Sequence, residues 1–246
     1  MHSFETANCY KVLGENPYMA AQGRPGGQIG KAYEQSDCCM RQCCGPRRPF
    51  EMRILCEYSD FGMGEDQDCI HIDRPWKFQS PCCCNLQEIC VSKLPNNRDA
   101  DRKTLGYVKE QCSCTGAAFT VEDGSGSVVF TIEGPCCPCD GPCCTVEFPV
   151  MQGETQVGML TKEKDDWMVR IPSPHFSVDP EAFALTGALL SVQVGMVSDA
   201  DTFSLTFPQG CSTEIKAVLL GAVFLIDFMC ELLRAPSEPP LARDCF

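Results

Sequence analysis

The run Lys216-Ala-Val-Leu-Leu-Gly-Ala-Val-Phe-Leu-Ile-Asp-Phe-Met229 constrains the fold of this chain more than any other segment. At about 100° per residue, Lys216, Asp227, Glu231 and Arg234 fall within roughly 60° of one another, whereas Ala217 to Ile226 is apolar on every side. A helix apolar all round has to be buried, in protein or in lipid. Over residues 215–233 it would be about 28 Å long, close to the hydrocarbon thickness of a bilayer, but its uninterrupted apolar part is only about ten residues. That favours a core helix over a membrane span. Ser212 or Thr213 can cap its start, Glu214 suits the positive end of the helix dipole, and Pro236, Pro239 and Pro240 stop continuation into the tail 235–246. Shortly upstream, Asp199-Ala-Asp201 offers two carboxylates as a candidate cation site.

Charge and cysteine usage narrow the partners. The net charge of −13 disfavours nucleic acid, and it lets the chain approach an anionic leaflet only through a cation bridge, a lipid anchor or a local basic patch. The concentrated basic stretch is Arg41 to Arg53. Met1 to Gly30 shows no charged region followed by an apolar one, so no secretory signal is expected and the chain reads as cytosol-facing. In that setting 21 cysteines, an odd number, point to thiols, metal ligands or acylation sites rather than a disulfide framework. They come in runs: Cys38-Cys39 and Cys43-Cys44, Cys82-Cys83-Cys84, and Cys136-Cys137-Pro-Cys139 followed by Cys143-Cys144. A zinc tetrahedron needs two converging pairs, and Cys136-x-x-Cys139 supplies one. Clustered thiols at a membrane surface suit acyl transfer, and several chains together hold where one dissociates, so Cys82 to Cys84 are candidate palmitoylation sites. The other pairs read as buried or turn-forming.

Between these runs lie short β-branched or alternating segments at 51–58, 87–91, 104–109, 118–122, 127–133, 144–148 and 157–160, separated by Gly and Pro clusters. Asp123-Gly-Ser-Gly between two of them is a hairpin signal. Many short strands followed by one apolar helix predict a barrel or sandwich whose interior the helix fills.

The residues that carry this pattern resemble the phospholipid scramblase family, which has the tubby-like fold. The likeness runs through Phe4-Glu-Thr-Ala-Asn-Cys-Tyr10, Asp37-Cys-Cys-Met-Arg-Gln-Cys-Cys-Gly-Pro-Arg-Arg-Pro-Phe50, Arg74-Pro75, Cys82 to Cys84 with Leu86-Gln-Glu-Ile89, and Gly106-Tyr-Val108. It continues through Gly134-Pro-Cys136, Ser198-Asp-Ala-Asp-Thr-Phe203, Phe207-Pro208 and the Lys216–Met229 run. The resemblance implies a mainly β protein over residues 1–234, a closed barrel of about twelve strands around the central C-terminal helix. Because the chain starts at that family's Phe-Glu-Thr stretch, a barrel without its first strand is the alternative. It also implies calcium-activated, ATP-independent, bidirectional movement of phospholipids between leaflets, and palmitoyl anchoring at the cytoplasmic face of the plasma membrane, lipid-anchored or single-pass. The implied partners are membrane phospholipids and proteins. The calcium segment falls on Asp199 to Gly210, with Asp199, Asp201, Phe203, Leu205 and Phe207 as the calcium-binding positions.

The chain departs from the family in places. Gly210 stands where an acidic residue closes the calcium segment, residues 171–194 have no counterpart after Trp167 and read as an insertion, and Lys162-Glu-Lys-Asp-Asp166 replaces a basic nuclear-import segment. Covalent catalysis has no support, because His2, His71 and His175 are scattered and lack motif context. Two functions stay open: a calcium-activated scramblase, and a lipid-anchored barrel that recruits partners without moving lipid.

Overall fold

The computed structural model describes residues 7–14, 28–56, 67–77, 86–93, 102–113, 116–135, 145–163, 189–194 and 202–234. Twelve strands occur among them: β1 (Cys9–Gly14), β2 (Gln28–Gln35), β3 (Phe50–Cys56), β4 (Gln67–Arg74), β5 (Glu88–Lys93), β6 (Lys103–Glu110), β7 (Ala118–Asp123), β8 (Val128–Glu133), β9 (Val146–Gln152), β10 (Thr155–Glu163), β11 (Leu189–Val194) and β12 (Thr202–Thr206). Two helices accompany them, α1 (Cys38–Cys44) and α2 (Thr213–Arg234). Strands β2 to β10 pair in chain order as an antiparallel meander. After β10 the order changes: β12 inserts between β10 and β11, and β11 pairs with β1. Since β1 also pairs with β2, the hydrogen-bonded order returns to its start as a closed barrel.

Two expectations are corrected by this pairing. The closing position is filled by Cys9–Gly14, whose Tyr10 lies opposite Val194 and whose Val12 lies opposite Gly30, so no strand is missing from the ring. The supposed insertion at 171–194 ends in a barrel strand, because Leu189–Val194 supplies β11; the rest of that segment lies outside the described residues.

Alternation decides which side chains enter the barrel. Met52 and Ile54, Ile70 and Ile72, Ile89 and Val91, Phe119 and Val121, Phe130 and Ile132, Phe148 and Val150, and Phe203 and Leu205 are buried two residues apart, as the period-2 geometry of a strand requires. The turn from β7 to β8 uses the Asp123-Gly-Ser-Gly signal. The Asp123 carboxylate accepts the Ser125 and Ser127 amides at 2.8 and 3.0 Å, and Gly126 takes φ +84°, a conformation that only glycine adopts readily.

Helix α2 fills the barrel. Its start is capped by Ser212, whose hydroxyl accepts the Ile215 amide at 3.3 Å, and Val218, Leu219, Ala222, Val223, Phe224 and Leu225 are all fully buried or nearly so. Gly221 lets the helix lie close against the wall: a Cβ there would stand 2.7 Å from Val91 Cγ2 and 3.0 Å from Ile89 Cδ1. Among the described residues no helix is long and apolar enough to cross a membrane.

The one charge in the middle of this apolar surface is Asp227, 1% exposed. Its Oδ1 lies 3.5 Å from Lys162 Nζ of β10, and its Oδ2 accepts the Tyr10 hydroxyl of β1 at 3.3 Å. Tyr10 in turn accepts a hydrogen bond from the Asn8 amide group at 3.0 Å and meets the Phe224 ring edge-on at 4.8 Å. Lys162 sits 4.9 Å from the Phe203 ring. Removing one member of a buried ion pair strands the other charge, at a cost of about 3–5 kcal/mol, whereas replacing both by apolar groups is often neutral. Lys162→Met or Asp227→Ala alone should therefore lower unfolding stability by about 3–5 kcal/mol in urea denaturation. The double variant Lys162→Met/Asp227→Leu should recover most of that loss; equal destabilisation of single and double variants would show that the pair is not coupled.

Candidate functional site

The end of the barrel where α2 finishes carries a cluster of charged groups, Glu34, Arg48 and Arg74. Asp37 starts α1 by accepting the Cys39 and Met40 amides at 2.8 and 3.2 Å, and Gly45 at φ +52° ends it, returning its amide to the Arg41 carbonyl. A single 3-10 turn, Gly45–Arg47, then delivers Arg48 to the interior. Arg48 is fully buried and makes a forked pair with Glu34 of β2, Nε to Oε1 at 2.6 Å and Nη2 to Oε2 at 2.9 Å. Its guanidinium also lies 4.8 Å from the Phe228 ring of α2.

Phe228 is held from several sides. It stacks on Phe50 with centroids 4.3 Å apart, and Arg74 of β4 lies 5.5 Å from it. Arg74 donates to Gln87 Oε1 at 2.9 Å and to the Pro46 carbonyl at 2.8 Å, tying the 3-10 turn to the sheet. The Arg-Arg-Pro-Phe segment at 47–50 is thus a plug: its second arginine and its phenylalanine clamp the end of the core helix. Outside the plug, Cys38, Cys39 and Cys43 are exposed on α1. Among the described residues Cys9, Cys38, Cys39, Cys44, Cys90 and Cys211 are free thiols, and the cysteines on α1 are helical rather than buried or turn-forming.

An open cavity of about 600 Å³ lies beside the plug, with Asp37, Glu51, Asp73 and Arg74 in its wall. Glu51 and Asp73 face one another across β3 and β4, and His71, two residues before Asp73 on β4, is paired with Arg53. Asp73 also pairs with Arg102 at 2.5 Å. The neighbouring His71 imidazole lowers the Asp73 carboxyl below the usual range, burial acts in the opposite sense, and Arg102 adds to the lowering.

Two of the sites expected from sequence lie outside the described residues: Asp199 and Asp201, and Cys82 to Cys84. The rest of the calcium segment is described. Phe203 and Leu205 point into the core of β12 and Phe207 follows the strand, all three buried, with Lys216 Nζ 5.5 Å from the Phe207 ring. Their side chains have no ligand oxygen, so only their backbone carbonyls could meet a cation, and β12 is paired on both edges. Sequence reasoning missed the groups that the fold does bring together: Glu34 with Arg48, Glu51 with His71 and Asp73, and Lys162 with Asp227.

Glu34 makes the plug sensitive to acid. Burial alone would raise its pKa, but hydrogen bonds from Arg48, Ser36 and the Asn8 amide, together with the Arg48 charge, hold it below the ordinary carboxylate range. A depressed carboxylate contributes stability that is complete above its unfolded pKa of about 4.3 and is lost as pH falls through the folded value. Glu34→Gln should cost on the order of 3 kcal/mol at pH 7. Below about pH 4.3 its stability should fall less steeply than that of the parent chain, as read by urea denaturation between pH 7 and pH 3.

By its architecture the chain is a helix-filled antiparallel barrel with a plugged end. The family model described as Scramblase matches residues 1–168 and 191–230, and the chain belongs to that family. It is 34% identical over 232 residues to Phospholipid scramblase 1 of Homo sapiens, covering 92% of this chain and 57% of that protein. It is likewise 34% identical to Phospholipid scramblase 2 of Bos taurus, covering 62% of it, and 25% identical to Phospholipid scramblase 4 of Homo sapiens, covering 56%. The chain thus spans little more than half the length of these curated relatives. No solved structure matches it.

Proposed function

We propose that this chain promotes calcium-activated, ATP-independent, bidirectional movement of phospholipids between leaflets, acting from the cytoplasmic face of the plasma membrane on a tubby-like barrel. The observation that carries the reading is membership of the scramblase family, with 34% identity to Phospholipid scramblase 1 across 92% of the chain. Palmitoyl groups on Cys82, Cys83 and Cys84 supply the anchor. Calcium is taken by the carboxylates of Asp199 and Asp201, immediately before β12, and by the backbone oxygen of Phe207 just beyond it, since Phe203 and Leu205 lie within the doubly paired strand. Two carboxylates are on offer and Gly210 adds no third, so water or lipid phosphate completes a shell of six to eight. Lipid phosphate in that shell makes calcium a bridge between a chain of net charge −13 and an anionic leaflet.

A head group has to cross about 30 Å of hydrocarbon. Because α2 is enclosed and its Asp227 is paired within the barrel, the chain acts by deforming the bilayer from its surface rather than by threading that helix through it. The same enclosure favours a second reading, a palmitoyl-anchored barrel that recruits partners and moves no lipid.

Purified chain in liposomes carrying a leaflet-specific fluorescent phospholipid separates the two. Scrambling should rise with calcium and fall severalfold in Asp199→Ala/Asp201→Ala. Rates equal to those of protein-free liposomes, with and without calcium, would leave only the recruiting role. In cells, joint replacement of Cys82, Cys83 and Cys84 by Ser should shift the protein from the membrane to the soluble fraction, and unchanged fractionation would remove the anchor.

A further inference from the structure

His71 projects from the face of β4 opposite its core residues Ile70 and Ile72, yet it is only 1% exposed. Neither ring nitrogen has a hydrogen-bond partner, an unusual state for a buried imidazole. Each nitrogen instead faces a carboxylate oxygen: Nε2 lies 3.5 Å from Glu51 Oε2, and Nδ1 lies 3.5 Å from Asp73 Oδ2. One ligand atom from each of the three residues can be chosen so that all lie within 4.8 Å of one another.

We propose that Glu51 and His71 bind a divalent transition-metal ion of the zinc class through Oε2 and Nε2, with Asp73 orienting the imidazole through Nδ1. Zinc bonds to nitrogen and oxygen of about 2.0–2.2 Å set tetrahedral ligand edges of about 3.3–3.6 Å. The 3.5 Å from Nε2 to Glu51 is long for a hydrogen bond and matches such an edge. Asp73 is the group that commonly stands behind a ligating histidine: it accepts the proton of the second nitrogen and fixes the tautomer. Arg102, 2.5 Å from the same Oδ2, holds that carboxylate in place. Glu51 has 53% of its side chain exposed and lines the 600 Å³ cavity, so water can fill the remaining positions. An imidazole ligand selects against calcium, which takes oxygen donors, so the site is chemically separate from the Asp199 segment.

The test is zinc titration of the full chain labelled with 15N-histidine, in a phosphine reductant and with zinc carried past the uptake by thiols. The chain has three histidines, and comparison with His71→Gln assigns the signals of His71. The expected result is a saturable change at Nε2 of His71, with Nδ1 retaining its proton, and no change at either nitrogen with calcium. Glu51→Gln should weaken binding at least about tenfold and Asp73→Asn by about 10–100-fold. Glu51 is exposed, so its variant keeps the fold, and the parent titration alone is decisive. If zinc leaves both His71 nitrogens unmoved, or if they report an imidazolium bridging the two carboxylates at neutral pH whatever the zinc concentration, the proposal is overturned.

Discussion

Asp227 lies about four turns into α2, at the end of its apolar run, and the groups that meet it make its charge tolerable. The ion pair with Lys162 reaches β10, and the hydrogen bond from Tyr10 reaches β1. In an interior of low polarity an unmatched carboxylate would cost more than the burial of several leucines returns, so the helix has one acceptable depth and one acceptable rotation. The apolar faces of α2 supply the driving force for burial. The aspartate supplies the address.

That division explains what could be read from the chain beforehand. The helix was legible because its apolar run and caps are local, and seven strands were legible because they alternate or are β-branched over six or so residues. Strands β1, β2 and β4 were harder: Gly30, Lys31, Gln67 and Asp68 dilute their pattern, and they are strands because neighbouring strands bind them. Leu189–Val194 was hidden because it begins at the end of residues 169–190, which the family model leaves unmatched, and was read together with them. The pairs Glu34–Arg48 and Lys162–Asp227 could not be seen, since nothing local links a lysine at the end of one strand to an aspartate 65 positions later. His71 looked idle because Glu51 reaches it only through the register of β3 on β4, although Asp73 stands two residues along the same strand.

The plug and the barrel interior solve one problem by two chemistries. At Asp227 a charge is neutralised by a charge; at Phe228 the flat ring is sandwiched by Phe50 and the guanidinium groups of Arg48 and Arg74, which are themselves hydrogen-bonded to Glu34, Gln87 and backbone carbonyls. Two consecutive residues of the helix thereby make contacts of opposite kind. A lipid-perturbing role is accordingly to be sought on the outer surface, because the described charges inside the barrel are engaged with one another.

The ring order has a consequence for how the protein is made. The meander from β2 to β10 can grow hairpin by hairpin as the chain emerges, but β1 waits for β11, about 180 residues later in the sequence. The core helix comes later still, after β12. Until β11 and β12 are made the barrel is therefore an unclosed, hollow sheet with its apolar face bare, and the helix translated after all twelve strands is the one that they need in order to have an inside.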